Sequence, residues 1–323
     1  MKKLFLLCSL VLSVTNAWTS SDVVWNDVYE NFIDHGLATA KDQFPSVVRV
    51  VTYGPDKNMK PVMLSICTGT LITQRIVLTA SHCLPKNASQ HLRVSLTGDP
   101  LGLTDNNFFA VSHYFGATGY VKNIDKFNAN EMAIKTPEFP RLSAAEKEFI
   151  QSQAILLSKD ATSYDFAFLE LAKPQPISAS NTASLGCFIL PVNTAVSIVG
   201  YGINNMSTGP TKNINTAFQL LHGSNVLVKT STPKLTMRIE KRIGSQLINH
   251  GDSGGPLFRK DNFYYVYGVV STVATDPKTG IGMAGNYAAT GSDRAREFYR
   301  EILTHNNAST ELKRMVRKCL DYL

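Results

Sequence analysis

The sequence lacks the patterns that are typical of membrane proteins, nucleic-acid-binding proteins and metal centres. Beyond residue 17 no run approaches the roughly 20 apolar residues that span a bilayer. There is no C-x-x-C pair or nearby histidine cluster to favour zinc. Internal repeats and low-complexity runs are absent, and the net charge of +7 over 323 residues is modest and scattered. We therefore expect no cofactor, no metal, no membrane association and no nucleic-acid partner.

The composition is typical of a well-packed globular protein. Hydrophobic residues make up 44% of the chain and charged residues 18%, which argues against disorder. The length suits one large domain or two of ordinary size. We therefore expect a folded domain that recognises its substrates or partners through defined surface sites.

The first 17 residues predict export. Two lysines precede an apolar run over residues 4–14, and small Ala17 follows, as in a signal peptide cleaved after residue 17. The alternative, a membrane anchor, needs a longer apolar run. We expect the mature protein to be secreted, either outside the cell or into a periplasm.

Cysteine usage supports an oxidising compartment. The chain has five cysteines, and Cys8 lies inside the signal peptide. An even number of cysteines in an exported chain predicts disulfides, with zinc ligation as the competing interpretation. Cys67 and Cys83 bracket a short apolar stretch, so we pair them, and Cys187 then pairs with Cys319.

Short β-branched and aromatic runs with glycine and proline turns dominate the chain from residue 46. This pattern predicts an all-β barrel or sandwich. Residues 84–160 are less regular and are interpreted as a surface insertion. Within it, Ser143 and Glu146 have capping-box spacing, which predicts a short helix to about Gln151. A C-terminal helical segment is predicted over residues 293–323, with Ser292 as an N-cap.

Residues 251–256 (GDSGGP) carry the strongest functional signal. Glycines around Ser253 allow a tight turn and let backbone N–H groups converge on one point. A serine nucleophile needs a base, and the base needs a partner. His82, beside a half-cystine, and Asp165, at the start of an apolar strand, are the candidates. Taken alone, each piece also fits an ordinary turn.

Together these pieces resemble the signature blocks of the trypsin/chymotrypsin-like serine proteases. The blocks are residues 79–83 (TASHC), 165–169 (DFAFL) and 251–256, in the family's order of His, Asp and Ser. Further similar segments are residues 67–72 (CTGTLI), 200–202 (GYG), 267–271 (YGVVS) and 285–287 (GNY). The resemblance implies a fold of two six-stranded antiparallel β-barrels with a C-terminal helix, and a protease domain over residues 33–323.

The resemblance also implies a role for each residue of the triad. Ser253 is the nucleophile, His82 the general base and acid, and Asp165 the residue that orients His82. The N–H groups of Gly251 and Ser253 form the oxyanion hole. The expected substrates are proteins or peptides, and the expected state is a monomer.

The start of the mature enzyme follows from residues 33–36 (IDHG), which resemble the family's activation motif. Cleavage before Ile33 by an activating protease frees an α-amino group that pairs with Asp252. Residues 18–32 are then a propeptide, and the protein is made as a zymogen. The alternative is that residues 18–36 form an ordered N-terminal arm. Asp34 departs from the family's apolar preference.

The resemblance predicts an apolar specificity pocket. At its base the trypsin-like aspartate is replaced by Leu247, which disfavours a buried Lys or Arg side chain. The residues assigned to the pocket are Leu247, Ile248, His250, Ser271, Val273 and Gly285.

The candidate residues bear on three possible functions. A secreted serine endopeptidase accounts for all three triad positions. A non-catalytic binding protein on a protease-like barrel is the alternative, and such proteins usually lack one of the three. An esterase of the α/β-hydrolase type requires the order Ser, acid, His, which is the reverse of the order here.

Overall fold

The computed structural model describes residues 37–38, 43–96, 108–136, 139–202, 220–226, 229–230, 236–240, 248, 251–275 and 282–322. Several predicted features lie outside these ranges: the signal peptide, the propeptide, Ile33, Leu247 and His250.

Fifteen strands and four α-helices form within the described ranges. The first seven strands are β1 (Leu37–Ala38), β2 (Val47–Pro55), β3 (Pro61–Leu71), β4 (Ile76–Thr79), β5 (His91–Ser95), β6 (Phe108–Gly116) and β7 (Ala167–Leu171). The next eight are β8 (Ser184–Leu185), β9 (Ala195–Gly200), β10 (Leu221–Val226), β11 (Lys229–Thr230), β12 (Thr236–Glu240), β13 (Pro256–Lys260), β14 (Tyr264–Thr275) and β15 (Gly282–Ala289). The helices are α1 (Thr118–Ile134), α2 (Ala144–Ser163), α3 (Asp293–Thr304) and α4 (Thr310–Asp321).

The first six-stranded unit is a closed antiparallel barrel in the order β2-β3-β4-β7-β6-β5. Its strands are rich in β-branched and aromatic residues, which pack well on a pleated surface. Strands β4 and β7 are neighbours, with Thr79 opposite Ala167. The segment that follows β4 therefore meets the segment that precedes β7.

The second unit is a larger antiparallel sheet in the order β1-β10-β9-β13-β14-β15-β12-β11, with β8 added in parallel to β14. It curls into a half-barrel, and hydrogen bonds do not close it within the described ranges. The predicted two-barrel architecture is confirmed, with one barrel complete and the other curled.

The predicted insertion is shorter than residues 84–160. Strands β5 and β6 belong to the first barrel, whereas α1 and α2 lie outside its strand order. The two helices pack against each other. Burial alternates over the first four residues of β5, and the sequence offers strand candidates at residues 92–96 and 108–111. Their place in the barrel depends on pairing with β2 and β7, which are distant in the sequence. The capping box of Ser143 and Glu146 is confirmed, but α2 continues to Ser163.

The C-terminal helices cover the first barrel. Ser292 caps α3 by accepting the N–H of Ala295 at 3.1 Å. The ring of Phe298 stacks 5.5 Å from that of Phe168 on β7. Both predicted disulfides are present, Cys67–Cys83 and Cys187–Cys319, and the second ties α4 to the segment after β8. None of the described helices is long and apolar enough to cross a membrane.

Candidate active site

His82 lies in a single 3-10 turn, Ser81–Cys83, just after β4. Two interactions fix this turn, one at Ser81 and one at Cys83. Ser81 donates a hydrogen bond to the carbonyl of Phe166, and the Cys67–Cys83 disulfide joins the turn to β3. The backbone of His82 is therefore fixed, while its side chain remains 19% exposed.

Asp165 lies just before β7 and is fully buried. Its Oδ1 accepts the backbone N–H of His82 at 3.0 Å, and its Oδ2 lies 2.7 Å from Nδ1 of His82. An ionised carboxylate only accepts hydrogen bonds, so Nδ1 carries the proton and Nε2 is left able to accept one. This arrangement suits a general base.

The hydroxyl of Ser271, a residue assigned to the pocket, contacts Asp165. It is buried and donates to Oδ2 of Asp165 at 2.6 Å. The sequence analysis did not predict this contact. The register of β14 shifts between Val270 and Thr272, and such a bulge redirects the side chain within it. The contact joins the second sheet to the acid–base pair of the first barrel.

Helix α1 also reaches this region through Tyr120, which is buried. Burial raises the pKa of the Tyr120 phenol, and the negative charge of Asp165 raises it further. The phenol is therefore neutral at physiological pH. The sequence offered no sign of this proximity, because Tyr120 lies in the predicted insertion.

The segment around Ser253 contains two glycines in the left-handed region, Gly251 with φ 88° and Gly254 with φ 80°. A Cβ on Gly254 would lie 2.2 Å from Oγ1 of Thr79. The carbonyl of Ser253 accepts the N–H of Thr68 on β3 at 2.8 Å. The loop that bears Ser253 thus lies against the strands of the first barrel.

The Cys67–Cys83 disulfide lies close to both the Ser253 loop and His82. A ring nitrogen of His82 and the sulfurs of Cys67 and Cys83 lie within 4.8 Å of one another. The Cys83 sulfur is 3.7 Å from the carbonyl oxygen of Ser253. His82, Asp165 and Ser253 are therefore brought to one region. Both sulfurs are used in the disulfide, so this cluster cannot supply the thiolates that a metal would require.

Asp252 is fully buried, and its Oδ1 accepts the N–H of Gly202 at 2.9 Å. A Cβ on Gly200 would lie 1.9 Å from the same oxygen. The carboxylate of Asp252 thus packs against residues 200–202. Burial raises the pKa of Tyr287, and the nearby charge of Asp252 adds to that effect.

Three residues assigned to the pocket are brought together. Val273 on β14 pairs with Gly285 on β15, and Ile248 is buried. A Cβ on Gly285 would lie 2.7 Å from Cγ1 of Ile248, so glycine is needed where that side chain packs. The lining at this point is apolar.

A family model described as Trypsin matches residues 33–290. Melanization protease 1 of Drosophila melanogaster is 28% identical over 261 residues, which are 75% of this chain and 60% of that protein. The chain thus spans about 60% of the length of the curated relative it matches.

Proposed function

The chain belongs to the trypsin family of serine proteases, and from this premise we propose that it is a secreted serine endopeptidase. Its catalytic residues are Ser253, His82 and Asp165. The observation that carries the proposal is the 2.7 Å contact between Nδ1 of His82 and the buried carboxylate of Asp165, next to the loop that bears Ser253.

The proposed reaction uses this geometry in two halves. Nε2 of His82 takes the proton of Ser253 as its oxygen attacks the peptide carbonyl. The N–H groups of Gly251 and Ser253 stabilise the oxyanion. His82 then protonates the leaving amine, and an acyl-enzyme remains on Ser253. In the second half, water attacks this ester with His82 again as the base, and the acid product leaves.

We propose that the enzyme is made as a zymogen. An activating protease cleaves before Ile33, and the new α-amino group pairs with Asp252. The burial of Asp252 supports this, because a buried carboxylate requires a compensating charge or hydrogen bonds. Its position against residues 200–202 would couple activation to the nucleophile loop.

Secretion is supported by the signal-like first 17 residues and by two disulfides, which persist in oxidising compartments. An apolar specificity pocket is supported by Ile248 packed over Gly285. We therefore expect cleavage after apolar residues rather than after Lys or Arg. We also expect the protein to act as a monomer.

The test is the intact mass of the secreted protein with and without a fluorophosphonate probe. We expect a mass that begins at Ile33 and one probe adduct, located on Ser253. Ser253→Ala should take up no probe and hydrolyse no peptide, while Ser152→Ala on the exposed side of α2 should behave as wild type. Full peptidase activity in Ser253→Ala would refute the proposal. A correctly processed wild type that takes up no probe would favour the non-catalytic binding protein.

A further inference from the structure

Thr68 is fully buried on β3, directly after Cys67, and it joins three segments by hydrogen bonds. Its hydroxyl donates to the carbonyl of Gly251 at 2.9 Å and accepts the N–H of Tyr201 at 2.9 Å. Its N–H donates to the carbonyl of Ser253 at 2.8 Å. Its own carbonyl accepts the hydroxyl of Thr79 at 2.8 Å.

Two of these bonds hold the two ends of the segment 251–253. The N–H groups of Gly251 and Ser253, the proposed oxyanion donors, belong to the same segment. Oxyanion donors are effective only when they are oriented before the charge develops. Gly251 is in the left-handed region, and a glycine rotates out of such a conformation at little steric cost. The hydrogen bond from Thr68 to the carbonyl of Gly251 opposes that rotation, and we call it the anchor.

We propose that Thr68 is a positioning residue for the oxyanion hole. Its hydroxyl has one proton, which goes to the carbonyl of Gly251, and the N–H of Tyr201 occupies an acceptor site on the same oxygen. The orientation of the hydroxyl is therefore determined from both sides. This inference rests on the proposed function, because it assigns the anchor to the same catalytic site.

The anchor also connects the two segments that surround Asp252. Tyr201 lies between Gly200 and Gly202, and Gly202 donates to Asp252. One hydroxyl thus joins the segment that receives Asp252 to the carbonyl just before Asp252. Movement of either segment would be transmitted to the other through Thr68.

Thr70 supplies a matched control on the same strand. It lies two residues further along β3, so its side chain is on the same face, and it is equally buried. Its hydroxyl has no hydrogen-bond partner among the described residues. Replacing Thr70 by Val removes a buried hydroxyl without removing an anchor.

The first experiment measures amide hydrogen exchange at Tyr201 in the wild type, Thr68→Val, Thr68→Ser and Thr70→Val, and does not depend on turnover. In Thr68→Val the N–H of Tyr201 loses its acceptor, so we expect exchange at least about 10-fold faster. Thr68→Ser and Thr70→Val should match the wild type. Unchanged exchange in Thr68→Val, or an equal change in Thr70→Val, would overturn the inference.

The second experiment measures kcat and KM for a peptide ester with the same variants. In Thr68→Val we expect kcat to fall by about 10- to 100-fold, with KM nearly unchanged, and Thr68→Ser to restore kcat. A rise in KM alone would overturn the inference and leave the proposed function standing. A correctly processed wild type that hydrolyses no ester would instead overturn the proposed function, whatever the exchange result.

Discussion

The two sheets contribute to the site in different ways. The closed first barrel supplies both members of the proposed acid–base pair, His82 after β4 and Asp165 before β7, from strands that pair directly. The curled second sheet supplies Ser253, from the loop before β13, and Ser271 on β14. The proposed acid–base pair thus lies within one barrel, whereas the loop of the proposed nucleophile is held by contacts between the two.

Specific hydrogen bonds between the barrels lie close to the site. Thr68 of the first barrel bonds to the carbonyls of Gly251 and Ser253, and Ser271 of the second sheet bonds to Asp165. Damage within the first barrel should therefore disable proton transfer, while damage at the junction should misplace the nucleophile. The following variants test that distinction.

The largest effect is expected from Asp165→Asn in the first barrel. An amide donates as well as accepts, so His82 would be held in the wrong tautomer, and family precedent gives a loss of about 10,000-fold in kcat. Steady-state kinetics at neutral pH measures it. Asp261→Asn in the exposed turn before β14 is the control. A loss below 10-fold would show that the carboxylate is not needed to orient His82.

Removing either disulfide should affect stability and activity to different degrees. Cys187–Cys319 spans 132 residues and Cys67–Cys83 spans 16, so the chain-entropy model assigns them about 5 and about 3 kcal/mol. The Cys187→Ser/Cys319→Ser variant should lose more stability in urea. The Cys67→Ser/Cys83→Ser variant should lose more activity, because it frees the turn that bears His82. The reverse order of either effect would contradict this division.

Gly254→Ala tests the packing between the barrels. The added Cβ would lie 2.2 Å from Oγ1 of Thr79 and 2.4 Å from the carbonyl of Thr68, at a φ of 80°. We expect a loss of about 2–3 kcal/mol in the free energy of unfolding, measured by urea denaturation. Gly54→Ala is the control, because its nearest contacts would be side-chain atoms that can move, Cδ1 of the exposed Leu64 at 2.6 Å and Cγ of Gln90 at 3.3 Å. Equal losses in both variants would argue against a tight junction.

Ser271→Ala should have the smallest effect. Asp165 would lose one of its three hydrogen bonds and keep both contacts with His82, so we expect kcat/KM to fall by about 10-fold. Ser184→Ala, on the exposed β8, should leave kcat/KM unchanged. A loss as large as that of Asp165→Asn would mean that the junction, and not the first barrel alone, holds the acid–base pair.

Much of the fold could be predicted because its signals are local. Strand runs, the caps at Ser143 and Ser292 and the Cys67–Cys83 spacing depend on residues close in the sequence, and the structure confirms these features. The roles of the triad residues remain a prediction. Residues 92–96 and 108–111 have the composition of strands, but their membership of the barrel depends on pairing with β2 and β7, which local sequence does not encode. The role of Ser271 was missed because a bulge changes which face of β14 its side chain is on.

Strand periodicity alone predicts an all-β barrel or sandwich, and the resemblance of the short motifs to the trypsin/chymotrypsin-like proteases adds the two-barrel class. The spacing of Cys67 and Cys83 pairs them and leaves Cys187 to Cys319. The partners of the buried hydroxyl groups, in contrast, are visible only once the chain is folded. Thr68 and Gly251 are 183 residues apart, and Ser271 and Asp165 are 106 apart. A hydroxyl bonds to whatever backbone or carboxylate the fold brings within about 3 Å, and nothing in its neighbouring residues encodes that partner.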